Sequence, residues 1–542
     1  MAAKNKVFQN GVIYTVDQGN PVGEAMAISG DTILGVGSNA EVESFIDADS
    51  ELTDLGGRLV LPSFVDAHSH PSDAVDLLEN ISLYNLRSLE LYTRTMQEFI
   101  EAHPERDFYR GSGWDNILFS MRGPDKDFLD GIMPEKPVSL VSYDGHSLWV
   151  NSAMLENAGI TKDTPDPDGG VIERDPENGE PTGTLRETAM KLVDKVIPGY
   201  SAEEKANTLK AYQDMAFRCG VTMCHDAMLD EDNLTGFKDL ESGGLLRMNF
   251  RASILIEPDK PAAEQIQFML DQRAGNRHPK FQTNTAKLFV DGVVEGGTAY
   301  LLDPYANKAD YYGELIWEPG ALKEICAALD AQQIQIHIHV IGDAAARIAL
   351  DALEYALGQN GKRDARHMIT HLQLVTPQDI LRFKQLDVIG LPNPYWFKVD
   401  QDYHMLAVPY LGEQRAKYQY PMRSFLEAGV RMASASDFPV TVPFDPLMGM
   451  EIGVTRSPLG TVTDEILWPE ERVTLEEMIT SFTINGAYSN FLEGQTGSLE
   501  TGKQADFVVL DQNIFEIPTK EIGNTKVLQT FVDGELVHTA GS

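Results

Sequence analysis

The chain is poor in cysteine, poor in positive charge and without a long apolar run, and each shortage narrows what it can be. Three cysteines, Cys219, Cys224 and Cys326, are spread over 542 residues. They cannot all pair, they are too sparse for a disulfide framework, and no cysteine zinc site is spaced among them. A reducing compartment is expected. Lys and Arg number 44 against 82 Asp and Glu, a formal net charge of -38 at pH 7. Such a surface repels phosphate backbones and anionic lipid, so nucleic-acid and membrane partners are disfavoured. No stretch reaches the roughly 18 apolar residues that a spanning helix needs. Met1 to Lys6 runs straight into strand-like sequence with no signal-peptide core, so a cytoplasmic protein is the expectation. The absence of any Gly-x-Ser-x-Gly elbow removes the usual serine-hydrolase arrangement. There is no internal repeat and no low-complexity tract.

What is present is an ordinary globular composition, 42% hydrophobic and 23% charged. At roughly 150 residues per domain the length allows about three to four units. The N-terminal stretch reads as short strands punctuated by Asn10-Gly11 and Gly30-Asp31, and the C-terminal stretch repeats that style around Asp533-Gly534. The two ends, 1–58 and 491–542, are expected to share one sheet of a small β-sandwich domain. Between them, strand-like runs at 59–67, 221–227, 249–256, 286–292, 334–340, 368–372, 388–392 and 431–439 alternate with helix-length amphipathic segments. That alternation predicts an α/β fold with a parallel sheet, and eight runs match a (β/α)8 TIM barrel over 59–490. The long gap after the first run predicts an α+β insertion at about 75–215, with its own strand at 138–143 and a Pro-, Gly- and Asp-rich loop at 163–183.

Three motif matches carry no chemistry. Gly497 to Lys503 approaches a phosphate loop, but Gln504 replaces the Mg²⁺-binding hydroxyl and a strand follows where a helix must open, so a turn is expected. Gly35-Val-Gly37 lies in the β-rich end without a βαβ unit. Asp166-Pro-Asp168-Gly169 has Val171 where a calcium loop needs Gly, and reads as an acidic turn.

The chemistry gathers at strand ends. The run 59–67 leads into His68-Ser-His70, whose i, i+2 spacing puts two imidazoles on one face of a strand. Lys287 shares a strand face with Phe289 and Asp291. A buried Lys amine that adds carbon dioxide becomes an anionic bidentate ligand, whereas a salt-bridged Lys is the plainer reading. A second pair, His337-Ile-His339, precedes Val340-Ile-Gly-Asp343, and either His could ligate. His371 and Asp437 end two further runs. Each singly reads as a packed or capping residue, but five strand ends delivering His, His, Lys, His, His and Asp are hard to explain by packing.

At this point the sequence resembles the amidohydrolase superfamily, in its family 3 branch of N-substituted formamide deformylase-like proteins, over nearly its whole length. Further matching stretches are Gly111-Ser-Gly-Trp114-Asp115, Asp144-Gly-His146-Ser-Leu-Trp-Val-Asn151-Ser152, Gly179-Glu-Pro-Thr-Gly183-Thr-Leu-Arg-Glu187 and Gly497-Ser-Leu-Glu-Thr-Gly-Lys-Gln-Ala-Asp506. The resemblance implies a (β/α)8 barrel with a small β domain from both termini. It implies zinc, one or two ions per chain, with His68, His70 and Asp437 on the first, His339 and His371 on the second, and carboxylated Lys287 bridging. It selects His339 over His337, places His146 in the substrate pocket, with a loop histidine bonding backbone as the alternative, and suggests a homodimer. Trp114, Tyr143, Trp396 and Phe397 suit an apolar or aromatic substituent, with core packing as the alternative for each; His225, His404 and Arg186 rank behind them. The implied reaction is hydrolysis of a linear amide C–N bond in a small N-acyl or N-formyl amine by metal-activated hydroxide, with the carbonyl polarised by the second metal or by His146 and with Asp437 as general base and acid. Cyclic amides, carbamates or esters on the same centre are the alternative substrates. A barrel that binds without turnover is the alternative outside catalysis.

Overall fold

The apolar run at 59–67 forms two strands rather than one. Leu59–Pro62 and Phe64–Ser69 part at Ser63, whose N–H donates to the Asp506 carbonyl while that of Phe64 donates to Gly220. Every residue of both strands is buried, so hydrophobic pattern holds no sign of the break. The first strand belongs to a terminal sheet and the second opens the barrel. This computed structural model describes residues 4–541 except 85, 121, 143–145 and 462–464. The chain divides into two compact units: Met1–His70, Tyr212–Phe237 and Glu241–Ser542 make one, Pro71–Ala211 and Lys238–Leu240 the other.

In the first unit, seven parallel strands follow one another around a sheet: β1 (Phe64–Ser69), β2 (Val221–Leu229), β3 (Asn249–Leu255), β4 (Phe281–Phe289), β5 (Gln335–Val340), β6 (Met368–His371) and β7 (Ile389–Pro392). The eighth expected run makes no regular strand, yet it bonds both edges. Ala433 N–H donates to Gly390 and Ala435 N–H to Pro392 on the β7 side, while Ala67 N–H donates to Ser434 and Asp437 N–H to His68 on the β1 side. Its irregularity has a cause in Asp66, whose carboxylate accepts both the Ser436 N–H and the Ser436 hydroxyl and so takes the place of ladder bonds. The ring is thereby closed as a TIM barrel. Helices between strands carry their own start signals: Thr376 caps Pro377–Leu386 by accepting from Asp379 N–H, with Pro377 at the first position.

The same unit holds the terminal sandwich. Leu59–Pro62 pairs antiparallel with Phe507–Leu510, so both ends of the chain do share a six-stranded sheet. A second sheet of four strands, Thr32–Gly37, Ala25–Ser29, Asn5–Gln9 and Glu51–Asp54, comes from the N-terminal stretch alone. Phe8, Ile28, Val60, Phe507 and Phe531 fill the space between them, with the Phe507 and Phe531 rings stacked at 4.3 Å. The Gly497 to Gln504 segment is a turn clasping this sandwich: Leu499 N–H bonds Thr15 and Gly502 N–H bonds Ile33.

The second unit has a six-stranded mixed sheet, from Ile81–Ser82 through Tyr109–Trp114, Val138–Ser142, Ser147–Val150 and Pro181–Glu187 to Gly170–Arg174. The last two strands correct the loop expected at 163–183. Asp175 accepts from the N–H groups of Glu177 and Asn178 and makes a tight turn, which lets two short strands pair across it despite the Gly and Pro content. Among the described residues, no helix is long and apolar enough to cross a membrane.

Candidate metal centre

Two strand ends and the closing segment deliver one cluster. A ligand atom from each of His68 on β1, His371 on β6 and Asp437 on the closing segment lies within 4.8 Å of the others. His70 Nε2 lies 3.2 Å from Asp437 Oδ1. The His339 ring, two residues from the polar neighbour His337 on β5, sits 4.6 Å from that of His371. Lys287 on β4 lies beside His337 in the parallel register. The backbones of His371 and Asp437 are left-handed, with φ of 72° and 63°. Non-glycine residues reach that region at a cost, and such strain concentrates at functional sites.

Burial sets the charge states. It pushes the His371 imidazole down to about 4, and holds His68 and His339 well below the ordinary imidazole value. All three are neutral near pH 7. Burial also opposes ionisation of Asp437, but His371 and His70 outweigh it and hold the carboxyl below its usual range. Burial lowers the Lys287 amine to about 7, and its Nζ has no hydrogen-bond partner among the described residues.

Hydrogen bonds then fix which imidazole nitrogen carries a lone pair. Asn393 Nδ2 donates to the Ala435 carbonyl at 3.3 Å, so Asn393 Oδ1 is the acceptor facing His371 Nδ1 at 2.9 Å. His371 therefore keeps its lone pair on Nε2. His339 Nε2 faces the Gly292 carbonyl at 3.2 Å and must donate, which leaves Nδ1 free to ligate. His68 Nε2 stands 3.1 Å from Asp437 Oδ1 without a hydrogen bond. Neutral imidazole lone pairs converging on an ionised carboxylate repel unless a cation lies among them. The nitrogen and oxygen donors fit a divalent ion such as zinc, and a buried amine beside them, lowered towards neutrality and without a hydrogen-bond partner among the described residues, fits a carbamate ligand.

The remaining expected residues divide. Trp396 follows β7 and stacks on His371 at 5.5 Å, with its indole N–H donating to Thr441 Oγ1 at 3.1 Å. Trp114 is wholly buried in the second unit, its indole N–H bonded to the Leu140 carbonyl; it is a core residue there, the alternative left open for it. His146, also in that unit, has a 67% exposed side chain with Nδ1 3.2 Å from the Glu187 carboxylate. Tyr143 lies outside the described residues. Of the lower-ranked residues, Arg186 bonds Glu173 and His404 lies 3.5 Å from Glu465. Sequence reasoning missed Asn393 and set His337 aside, although the second His at i, i+2 was its signal: His337 Nε2 lies 2.7 Å from His68 Nδ1.

A closed barrel that gathers histidines, a carboxylate and a buried lysine at the strands' C-terminal ends defines the class of metal-dependent hydrolases. The chain belongs to the amidohydrolase family, whose profile matches residues 51–538. It is 30% identical over 538 residues to protein LONG AFTER FAR-RED 3 of Arabidopsis thaliana, covering 98% of this chain and 91% of that protein. It is 28% identical to the N-substituted formamide deformylase of Arthrobacter pascens over 97% of each. A crystal structure of an uncharacterized metal-dependent hydrolase from Pyrococcus furiosus superposes with a TM-score of 0.74 at 26% identity, covering 94% of this chain and 99% of that one.

Proposed function

We propose that the chain hydrolyses a linear amide C–N bond in a small N-formyl or N-acyl amine with an apolar or aromatic substituent. The observation that carries this reading is the convergence of His68, His371 and Asp437 within 4.8 Å as neutral imidazoles and an ionised carboxylate. The full-length likeness to an N-substituted formamide deformylase supports the substrate class. His68, His70 and Asp437 would hold one zinc ion, His339 and His371 a second, with carboxylated Lys287 between. When bound, zinc supplies Lewis acidity and makes a water-derived nucleophile available near pH 7. Asp437 takes the proton that water gives up as its oxygen adds to the carbonyl carbon. Oδ1 faces His68 and His70, so Oδ2 is the oxygen assigned to this proton. The same carboxyl then returns it to the amide nitrogen as the C–N bond breaks, giving a carboxylic acid and an amine. The Trp396 ring against His371 offers the apolar substituent a flat face.

The test pairs elemental analysis of protein purified without chelator with an assay on N-formyl and N-acetyl aromatic amines. One to two zinc ions per chain with release of the aromatic amine is the expected result. Zinc without turnover of either series would move the substrate to cyclic amides, carbamates or esters. A chain that takes up no metal, even with bicarbonate supplied, would overturn the reading.

A further inference from the structure

Beneath the cluster, inside the barrel, four buried polar groups are used by no step above: His337, Ser253, His225 and Asn490. They form one continuous chain. His68 Nδ1 lies 2.7 Å from His337 Nε2, His337 Nδ1 3.2 Å from Ser253 Oγ, Ser253 Oγ 2.7 Å from His225 Nε2, and His225 Nδ1 2.7 Å from Asn490 Oδ1. Histidine and serine can each donate or accept, so the middle of such a chain has no direction of its own.

The far end supplies one. Asn490 Nδ2 lies 2.9 Å from the Gly486 carbonyl, a group that can only accept. It is also 3.1 Å from Ser489 Oγ, whose own proton goes to that same carbonyl. The amide is thus pinned with Oδ1 toward His225. His225 must then donate through Nδ1 and accept at Nε2. The Ser253 hydroxyl donates to it, and the Ser253 oxygen accepts from His337 Nδ1–H. His337 Nε2 is left as an acceptor, and His68 must donate to it from Nδ1. The lone pair of His68 is thereby placed on Nε2, the atom 3.1 Å from Asp437. The opposite polarity would set a proton on His68 Nε2 and close that nitrogen to a cation. Both intervening rings are fully buried and their bonds in the chain run to His68, Ser253 and Asn490, none of them a carboxylate, so a second proton on either would be a buried charge without a counter-ion.

We infer that Asn490, His225, Ser253 and His337 are positioning residues that hold His68 in the one tautomer able to ligate, with the direction set by the Gly486 carbonyl. Gly486 is suited to the task. It packs its helix against β1 so closely that a Cβ there would meet the Val65 side chain at 2.6 Å. The inference rests on the proposed metal reading only in taking His68 as a ligand.

Two measurements test it. In zinc-loaded wild-type protein labelled with ¹⁵N-histidine, the ring nitrogen shifts of His225 and His337 should report protonated Nδ1 and unprotonated Nε2. Either ring found with its proton on Nε2 would overturn the inference, with no variant needed. Next, Ser253→Ala removes the central link and should weaken zinc binding about 10- to 100-fold in competition with a chelator, whereas Ser253→Thr, which keeps the hydroxyl, should restore it. A folded Ser253→Ala protein that binds zinc as tightly as wild type would also overturn the inference while leaving the metal reading intact. A wild-type chain that binds no divalent ion would remove the metal reading itself, and this inference with it.

Discussion

The two ends of the barrel use the same residue types to opposite effect. At the C-terminal end His68 Nε2 lies 3.1 Å from Asp437; at the N-terminal end His367 Nε2 lies 3.2 Å from Asp330. The lower pair is a complete structure. His367 Nδ1 accepts from Ile336 N–H, so Nε2 carries the proton and donates. Arg363 and Asn360 fill the rest of the Asp330 carboxylate. The upper pair sets a lone pair against a carboxylate beside an amine that has no hydrogen-bond partner among the described residues. A His–Asp distance alone does not separate a structural ion pair from a ligand pair; the partner of the other ring nitrogen does.

The strongest way to break this comparison is to remove one carboxylate from each end. Asp437→Asn should cut kcat/KM on an N-formyl aromatic amine by about 10²- to 10⁴-fold with metal still bound, while Asp330→Asn should leave kcat/KM unchanged and lower the thermal midpoint. Equal losses of activity would erase the distinction.

Acid should then separate the buried histidines from the Asp330 carboxylate. His225 and His371 near the upper cluster have folded values of about 4, below the 6.5 of an unfolded imidazole. The unfolded chain therefore binds more protons between those limits. Each group costs metal-free protein about 1.4 kcal/mol of stability per pH unit as pH falls from 6.5 towards 4. At the lower end burial raises Asp330, but the His367 and Asn360 bonds outweigh it and bring the carboxyl down to about 2 from 3.8. Its contribution, present above 3.8, is lost only as pH falls from there towards 2. Chemical denaturation of chelator-treated protein should show at pH 5 the histidine loss, to which His367, also held below 6.5 by burial, adds, without the Asp330 loss.

A finer test concerns the amine. Stripped protein should recover more activity on zinc with bicarbonate than on zinc alone, and Lys287→Met should show no such difference. The smallest effect is expected at Trp396→Phe. It keeps a ring against His371 and loses the bond to Thr441, so KM should rise about fivefold, the worth of roughly 1 kcal/mol, with kcat little changed.

How much of this could be read beforehand follows from where each signal lives. Strand ends were legible because imidazoles at i, i+2 and small residues before Asp437 leave a local mark. The break at Ser63 was not, since an apolar run buried on both sides looks the same whether it serves one sheet or two. Between its two readings, pocket and core, Trp114 takes the core one: its neighbouring motif is specific to the family, but its indole serves the core. The polarity of the chain below the cluster was beyond reach, as Asn490 lies 265 positions from His225 and shares no periodicity with it. His337 was visible and set aside, because a pattern of ligands has no place for a histidine that orients another.

The irregular closing segment has a consequence in time. Asp66 and Ser436, which join the seam of the barrel, are 370 positions apart, and Asp437 comes still later than every histidine of the cluster. During synthesis His68, His70, Lys287, His339 and His371 leave the ribosome before the residue to which the proposed function assigns the proton. Under that proposal a nascent or truncated chain that stops short of Asp437 lacks both the closing segment and the proton carrier, so hydrolysis would certify that the ring has been finished.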